Sequence, residues 1–228
     1  RVHAQSRVLE EALRAVNMPY QIIGGTKFYD RAEVKDAIAY LRVLVNPKSD
    51  VDILRIINTP SRGIGSTTME RVASYASMQN ISIFEALNRL DEFAEDIGSA
   101  PRKRLGQFRE LIKLLAEEAK KNTPEEVLRS VLAKSGYKKA LEDEDTAEAE
   151  GRLENLAELA GSMSDYEAEA EARGEAPTLD GFLERVSLVA DSDTANEGPI
   201  EKITLMTVHG AKGLEFELVL LTGMEEDM

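Results

Sequence analysis

Between Ser6 and Val16 the apolar positions are Val8, Leu9, Ala12, Leu13 and Val16. That spacing paints one stripe along a half-buried helix. Asn17 and Pro19 stop it, and Tyr20 to Ile23 then forms a short strand candidate closed by Gly24-Gly25, so the opening is helix, turn, strand, turn. The pattern then changes. Val34, Ile38, Leu41 and Val45 mark one helix, Val51, Leu54 and Ile57 a second, and Met69, Val72, Tyr75 and Ala76 a third. Further helical periods cover Lys103 to Lys121, Pro124 to Ala133, Thr146 to Ala172 and Leu179 to Val189. Thr123 followed by Pro124 is an N-cap with proline at the first helical position, and Thr178 after Pro177 is placed to cap the last of these helices. After a polar stretch containing Gly198 and Pro199, Ile203 to Val208 and Phe216 to Leu221 return to β-rich composition, which predicts two more strands.

Strand signals at the two ends and helix signals between them predict one α/β domain interrupted by a helical insertion, its flanks meeting in space although about 175 residues separate them, a length that loop-closure entropy tolerates. The borders fall near Thr26 and Pro199, giving segments 1–25, 26–199 and 200–228. No internal repeat of the solenoid kind is visible. The start at Arg1 and the acidic tip after Leu221 point to a segment of a longer protein.

Composition narrows the chemistry. The 228 residues contain no cysteine, which excludes disulfides, thiolate zinc sites and cysteine nucleophiles and makes a reducing, cytoplasmic setting the expectation. No window approaches the length of uncharged apolar sequence that a membrane span needs, so no membrane partner is expected. The net charge of −14 would argue against a nucleic-acid partner, because affinity for phosphate comes mainly from Lys and Arg. Its distribution weakens that argument. From Glu142 to Glu175 thirteen acidic residues face only Arg152 and Arg173, leaving a net −3 for the rest of the chain. Such a run is most simply a solvated helix face, and other surfaces can still be locally basic.

Two segments carry candidate chemistry. Asn58-Thr59-Pro60-Ser61-Arg62-Gly63-Ile64-Gly65-Ser66-Thr67-Thr68 places a Gly-x-Gly turn between two helices, with Ser66 or Thr67 available as a cap. Two glycines allow a sharp turn that brings N–H groups to the surface, where they and a helix N-terminus can hold a phosphate. This is the chemistry of a helix-hairpin-helix, which positions a duplex without reading bases. Arg62, with Arg55 and Arg71 nearby, would supply charge. The plainer alternative is a turn in which glycine supplies geometry alone. The second segment, Thr207-Val208-His209-Gly210-Ala211-Lys212-Gly213-Leu214-Glu215-Phe216, runs from a strand end through small residues. Loops at strand ends carry ligand contacts in mononucleotide-binding folds, making His209, Lys212 and Glu215 candidates, against the alternative of a tight turn with solvated side chains.

Other chemistries find no support. No Gly-x-x-x-x-Gly-Lys-Ser/Thr loop occurs, and Gly24-Gly25-Thr26-Lys27 lacks its spacing. His3 and His209 are the only histidines, without a third ligand at metal spacing, so no metal site is expected. No Gly-x-Ser-x-Gly elbow exists. Met163 and Tyr166 are read as core, and Phe28 and Tyr29 as hinge packing rather than a base-stacking pair.

These segments together resemble superfamily 1 DNA helicases of the UvrD, PcrA and Rep type, end to end. Arg1-Val2-His3-Ala4-Gln5-Ser6-Arg7 is similar to the family's Arg-Thr-Asn-Ala-Gln-Ser-Arg segment in its second RecA-like domain, 2A, with Val2 and His3 departing from the usual Thr-Asn. Gly24-Gly25 with Phe28-Tyr29-Asp30-Arg31, Glu33-Val34-Lys35-Asp36-Ala37 and Ala39-Tyr40-Leu41-Arg42 resembles the start of the inserted helical subdomain, 2B. Asn58-Thr59-Pro60 with Arg62-Gly63-Ile64-Gly65 is similar to the motif with which 2B grips duplex DNA, and Thr204 through Phe216 resembles helicase motif V.

The resemblance implies a mainly α fold, a helical 2B-type subdomain inserted into a partial α/β RecA-like domain whose 2A flanks contribute short strands. It implies duplex contacts from Arg62, Gly63, Ile64, Gly65 and Thr67, a position near single-stranded DNA for His209, and an approach of Glu215 to the ribose of ATP. His3 stands where the family carries an asparagine on the single-strand track. The implied partners are duplex and forked DNA, the remaining helicase domains and repair proteins. ATP and Mg would serve a parent 3′ to 5′ helicase. The chain alone lacks the phosphate loop, the Mg-binding acids and the later arginine motifs that phosphoryl transfer requires together, so by itself it is expected to need no cofactor and to hydrolyse nothing. A swivel of 2B about Thr26 to Arg31 and Asn196 to Glu201 would regulate unwinding. The competing expectation is a protein-interaction or autoinhibitory module with negligible DNA binding.

Overall fold

The computed structural model describes residues 6–16, 18–23, 27–194, 202–208 and 211–222. His3, His209, the border residues Thr26 and Pro199, Gly24-Gly25 and the Asn196 to Glu201 hinge lie outside them. Helix α1 (Ser6–Ala15) leads into strand β1 (Tyr20–Ile23), as the sequence predicts, and a single 3-10 turn at Phe28–Asp30 opens the helical body. That body contains α2 (Ala32–Val45), α3 (Asp50–Ile56), α4 (Ser66–Gln79), α5 (Ile83–Asn88), α6 (Ser99–Ala119), α7 (Pro124–Lys134), α8 (Tyr137–Glu144), α9 (Ala147–Ala172) and α10 (Leu179–Thr194). Strand β2 (Ile203–Met206) closes the described order. The fold is mainly helical.

Helix α2 is the hub because apolar residues occupy most of its circumference, leaving Ala32, Lys35 and Val45 as its exposed positions. Val34, Ala37, Ile38, Ala39, Tyr40, Leu41 and Val43 are all buried, the signature of a helix surrounded by others. It packs against α3, α6, α7, α9 and α10. Around it Phe108 and Leu115 of α6, Leu128 of α7, Leu159 and Met163 of α9 and Phe182 of α10 fill one continuous core, where each such side chain contributes roughly 1.5–3 kcal/mol. Helix α7 starts on a full capping box between Thr123 and Glu126, and Glu167 of α9 accepts the next free amide, that of Glu125, at 2.6 Å. Thr178 caps α10 through the Gly181 amide at 3.1 Å, as predicted.

Three sequence expectations are corrected. On α3, Val51 is 79% and Leu54 49% exposed, whereas Ile53 and Ile56 are fully buried. The periodicity found the helix and, at Ile57, a buried position, but its other two marks face outward. Helices α5 and α8 arise where none was predicted. Phe216 to Leu221 forms no strand and stands exposed, with Leu220 at 80%, since a β-rich run becomes a strand only beside a partner and none lies along it among the described residues.

The two ends do meet. Strands β1 and β2 pair in parallel, Tyr20 opposite Ile203 through Ile23 opposite Met206, reinforced by a 2.9 Å bond from Gln21 Nε2 to Thr204 Oγ1. Beside them α1 is bolted to the helical body. Arg7 donates to Glu158 at 2.6 Å, to its neighbour Glu11 at 3.0 Å and to Asp165 at 3.3 Å. Burial opposes the Arg7 charge, but the bonds and fields of Glu158 and Glu11 outweigh it and its pKa rises. The fully buried Glu10 accepts from the Phe28 amide at 3.2 Å and from Tyr20 Oη at 3.1 Å. Tyr29 Oη, pushed up to about 12 chiefly by burial, bonds Glu11 at 3.3 Å and Ser162 at 3.2 Å. Phe28 is buried edge-on to the Tyr29 ring at 5.0 Å, so both aromatics pack as expected. Met163 is likewise fully buried.

Candidate nucleic-acid interface

The Gly-x-Gly segment lies between the end of α3 and the start of α4. A helix ends with carbonyl oxygens that have no partner of its own, and here one side chain gathers the last of them together with carbonyls just beyond the helix. Arg62 Nη1 donates to the carbonyls of Ile56 at 2.9 Å, Thr59 at 3.1 Å and Ile57 at 3.2 Å. Its Nη2 donates to Tyr40 Oη at 2.6 Å and to the Ser135 carbonyl at 3.3 Å, and the guanidinium lies 5.3 Å from the Phe108 ring centre. Tyr40 Oη in turn donates to the Thr59 carbonyl at 2.6 Å. Burial raises the Tyr40 pKa although Arg62 pulls against it, so the phenol remains a donor.

The rest of the turn is held from inside. Asn58 Oδ1 accepts from the amides of Arg62 at 2.8 Å and Ile64 at 3.2 Å. Ile64 is buried and anchors the loop in the core. Gly63 takes φ +67, the left-handed region where a side chain is strained. A Cβ there would also come within 2.9 Å of Arg104 Nη1. Gly65 differs: its φ is −80, and a Cβ would meet nothing within 4 Å.

What faces outward is backbone. Gly63, Gly65, Ser66 and Thr67 are exposed. Gly65 is the N-cap of α4 and no side chain caps it, which corrects the expectation that Ser66 or Thr67 would do so. The Gly65 carbonyl accepts the amides of Thr68 at 3.1 Å and Met69 at 3.2 Å. The amides of Gly65, Ser66 and Thr67 find no acceptor among the described residues. They form the positive end of a 14-residue helix, a geometry suited to an anion.

The expected charge comes from elsewhere. Arg62 points inward, Arg55 bonds Asp36 at 2.7 Å and the Ala32 carbonyl at 3.2 Å, and Arg71 bonds the Asp96 carbonyl. The residue that sequence reasoning missed is Arg104 on α6, whose Nη1 donates to the Gly63 carbonyl at 2.6 Å while the side chain stays exposed. Forty-one positions separate the two, so no local signal could have linked them.

The second segment is partly described. Past β2, the Ala211 amide returns to Thr207 and the Leu214 amide to Ala211, both at 3.0 Å, and Gly213 takes φ +83. This is a tight turn leaving Lys212 and Glu215 exposed. Arg62, Gly63, Ile64, Gly65 and Thr67 therefore share one corner of the helical body, while Glu215 belongs to the stretch after β2. Among the described residues no three His, Asp or Glu side chains gather to hold a metal ion, and no helix is long and apolar enough to cross a membrane.

The described residues form a mainly helical body closed by a parallel strand pair, with a Gly-x-Gly corner and a glycine-bearing turn after the second strand. The chain belongs to the family of the UvrD-like helicase C-terminal domain, whose model matches residues 1–228. Among individual proteins it is similar to the ATP-dependent DNA helicase PcrA of Staphylococcus aureus (strain Mu50), 44% identical over the whole chain. It is also similar to PcrA of Bacillus subtilis (strain 168), 40% identical over 99% of the chain. The chain spans about 30% of the length of these curated relatives.

Proposed function

We propose that this chain is the duplex-holding 2B subdomain, with its two 2A flanks, of an ATP-dependent 3′ to 5′ DNA helicase acting in repair or replication. The observation that carries the reading is the outward row of amides at Gly65, Ser66 and Thr67, without acceptors among the described residues and held by a turn that Arg62 and Ile64 anchor from inside. Amides aimed at phosphate oxygens bind a duplex by shape and charge and not by sequence. Arg62 and Ile64 then serve by positioning, Gly63 by allowing the turn, and Gly65 and Thr67 by contact. In this reading residues 1–25 and 200–228 belong to the RecA-like domain and 26–199 to 2B, which swivels about its two connections to regulate unwinding. His3 and His209 lie near single-stranded DNA, Glu215 near the ATP ribose, and the nucleotide with its Mg is held largely by the remaining helicase domains. Forked DNA and repair proteins are the further partners, in the cytoplasm.

Gly65→Val tests this. The position has room for a side chain and an ordinary φ, so the variant folds while its isopropyl group blocks approach to the amides. Duplex affinity, titrated against single-stranded DNA at several salt concentrations, is expected to be weak and salt-sensitive, and to fall about tenfold or more, the loss of one charge-assisted hydrogen bond. Unchanged duplex affinity would remove the corner from function. Charge reversal along α9 that altered protein association and left DNA binding intact would favour the interaction-module reading.

A further inference from the structure

Building on the duplex-holding reading, we infer that Arg104 is a phosphate-contacting residue of this corner, supplying the positive charge that the motif's own arginine does not. Of the three arginines nearest in sequence, Arg62 is turned inward onto carbonyls at the end of α3, exposed Arg55 is paired with Asp36, and exposed Arg71 is drawn to the Asp96 carbonyl. None of the three side chains is bonded to the Gly63 to Thr67 stretch itself.

Arg104 is bonded to the turn itself. One of its nitrogens donates to the Gly63 carbonyl at 2.6 Å, fixing the guanidinium against the exposed lip of the turn. A guanidinium carries five donors in a planar fork, and the described residues offer Arg104 no carboxylate. The residue stays exposed, and so does its bond to Gly63. Planar, forked and weakly hydrated, the group suits phosphate oxygens. Its neighbours on α6 reinforce the assignment. Arg102 pairs with Asp91, whereas Lys103 is exposed and has no ion pair among the described residues. The first turn of α6 holds no acidic residue, and cations close behind a helix N-terminus do nothing for the helix itself. The Gly63 carbonyl thus links two tasks, holding the left-handed turn and aiming Arg104 beside the amides of α4.

The test is the salt dependence of duplex binding by the full chain and three variants, with thermal unfolding measured in parallel. A side chain that neutralises one phosphate contributes about 0.9 to the slope of log affinity against log salt. Arg104→Ala is expected to lower that slope by about one and the affinity about tenfold, with Arg104→Lys keeping most of the slope. Arg104→Gln keeps an amide donor for Gly63 without the charge and should behave like Arg104→Ala. If Arg104→Gln binds like the natural chain, Arg104 only holds the turn and the phosphate role is overturned. If Gly65→Val loses binding while Arg104→Ala keeps both affinity and slope, Arg104 has no role and the duplex reading stands. If the natural chain shows no salt-dependent duplex binding, both fall.

Discussion

The Gly-x-Gly corner and the junction of α1 with the helical body are each organised around an arginine, and they use it in opposite ways. At the junction Arg7 meets three carboxylates, Glu11, Glu158 and Asp165, and the result is side chain closed on side chain. At the corner Arg62 meets neutral carbonyl oxygens. It gathers backbone acceptors inward and leaves backbone donors outward at the next helix. The contrast shows that a charged residue in a binding motif need not touch the ligand, since satisfying one half of the peptide groups decides which half remains for a partner.

The sharpest way to break the comparison is Arg62→Ala. It removes a donor from the carbonyls of Ile56, Ile57, Thr59 and Ser135 and from the Tyr40 hydroxyl together, so a loss of about 3 kcal/mol is expected, read from chemical denaturation. Arg62→Lys should recover little, because an ammonium cannot replace the fork. A variant as stable as the natural chain would mean that Arg62 is free to face outward. At the junction Arg7→Ala should cost less, about 1–2 kcal/mol, because Asp165 and Glu11 can turn to solvent. Its effect should appear as faster amide exchange in α1 with the corner unchanged, and equal exchange in both regions would erase the distinction.

The smallest effect comes from Tyr29. Its pKa is raised from 10.0 to about 12, chiefly by burial, so the neutral phenol is favoured in the folded state. Its contribution is intact below pH 10 and is lost as pH rises through about 12. Alkaline unfolding followed by tyrosinate absorbance should show this loss, and Tyr29→Phe should remove it. An unaltered profile in Tyr29→Phe would place the alkaline transition elsewhere.

Local signals were legible in the sequence and tertiary ones were not. Thr123-Pro124 announced α7 because capping is decided within four residues. The Ser82 and Glu85 capping box of α5 carried the same signal in a helix of only six residues, too short for a period to emerge. Helix α8 offers only Tyr137 and Leu141 as buried positions. On α3, Val51, Ile53, Leu54, Ile56 and Ile57 surround nearly the whole helix, so periodicity could not choose between faces and α2 decided. The glycines of the corner were visible as a motif. The inward turn of Arg62 depended on where α3 ended, and the approach of Arg104 depended on α6 packing beside the turn.

The parallel pairing of β1 with β2 has one more consequence. Adjacent parallel strands are ordinarily joined by a crossover of about a dozen or more residues, usually one helix. Here, among the described residues, nine helices stand in that place. Seen from the sheet, the whole helical body is a single swollen connection, and enlarging such a connection costs only about 0.6 kcal/mol of closure entropy per doubling. A chain in which one plain helix replaced the body should still bring these two strands side by side.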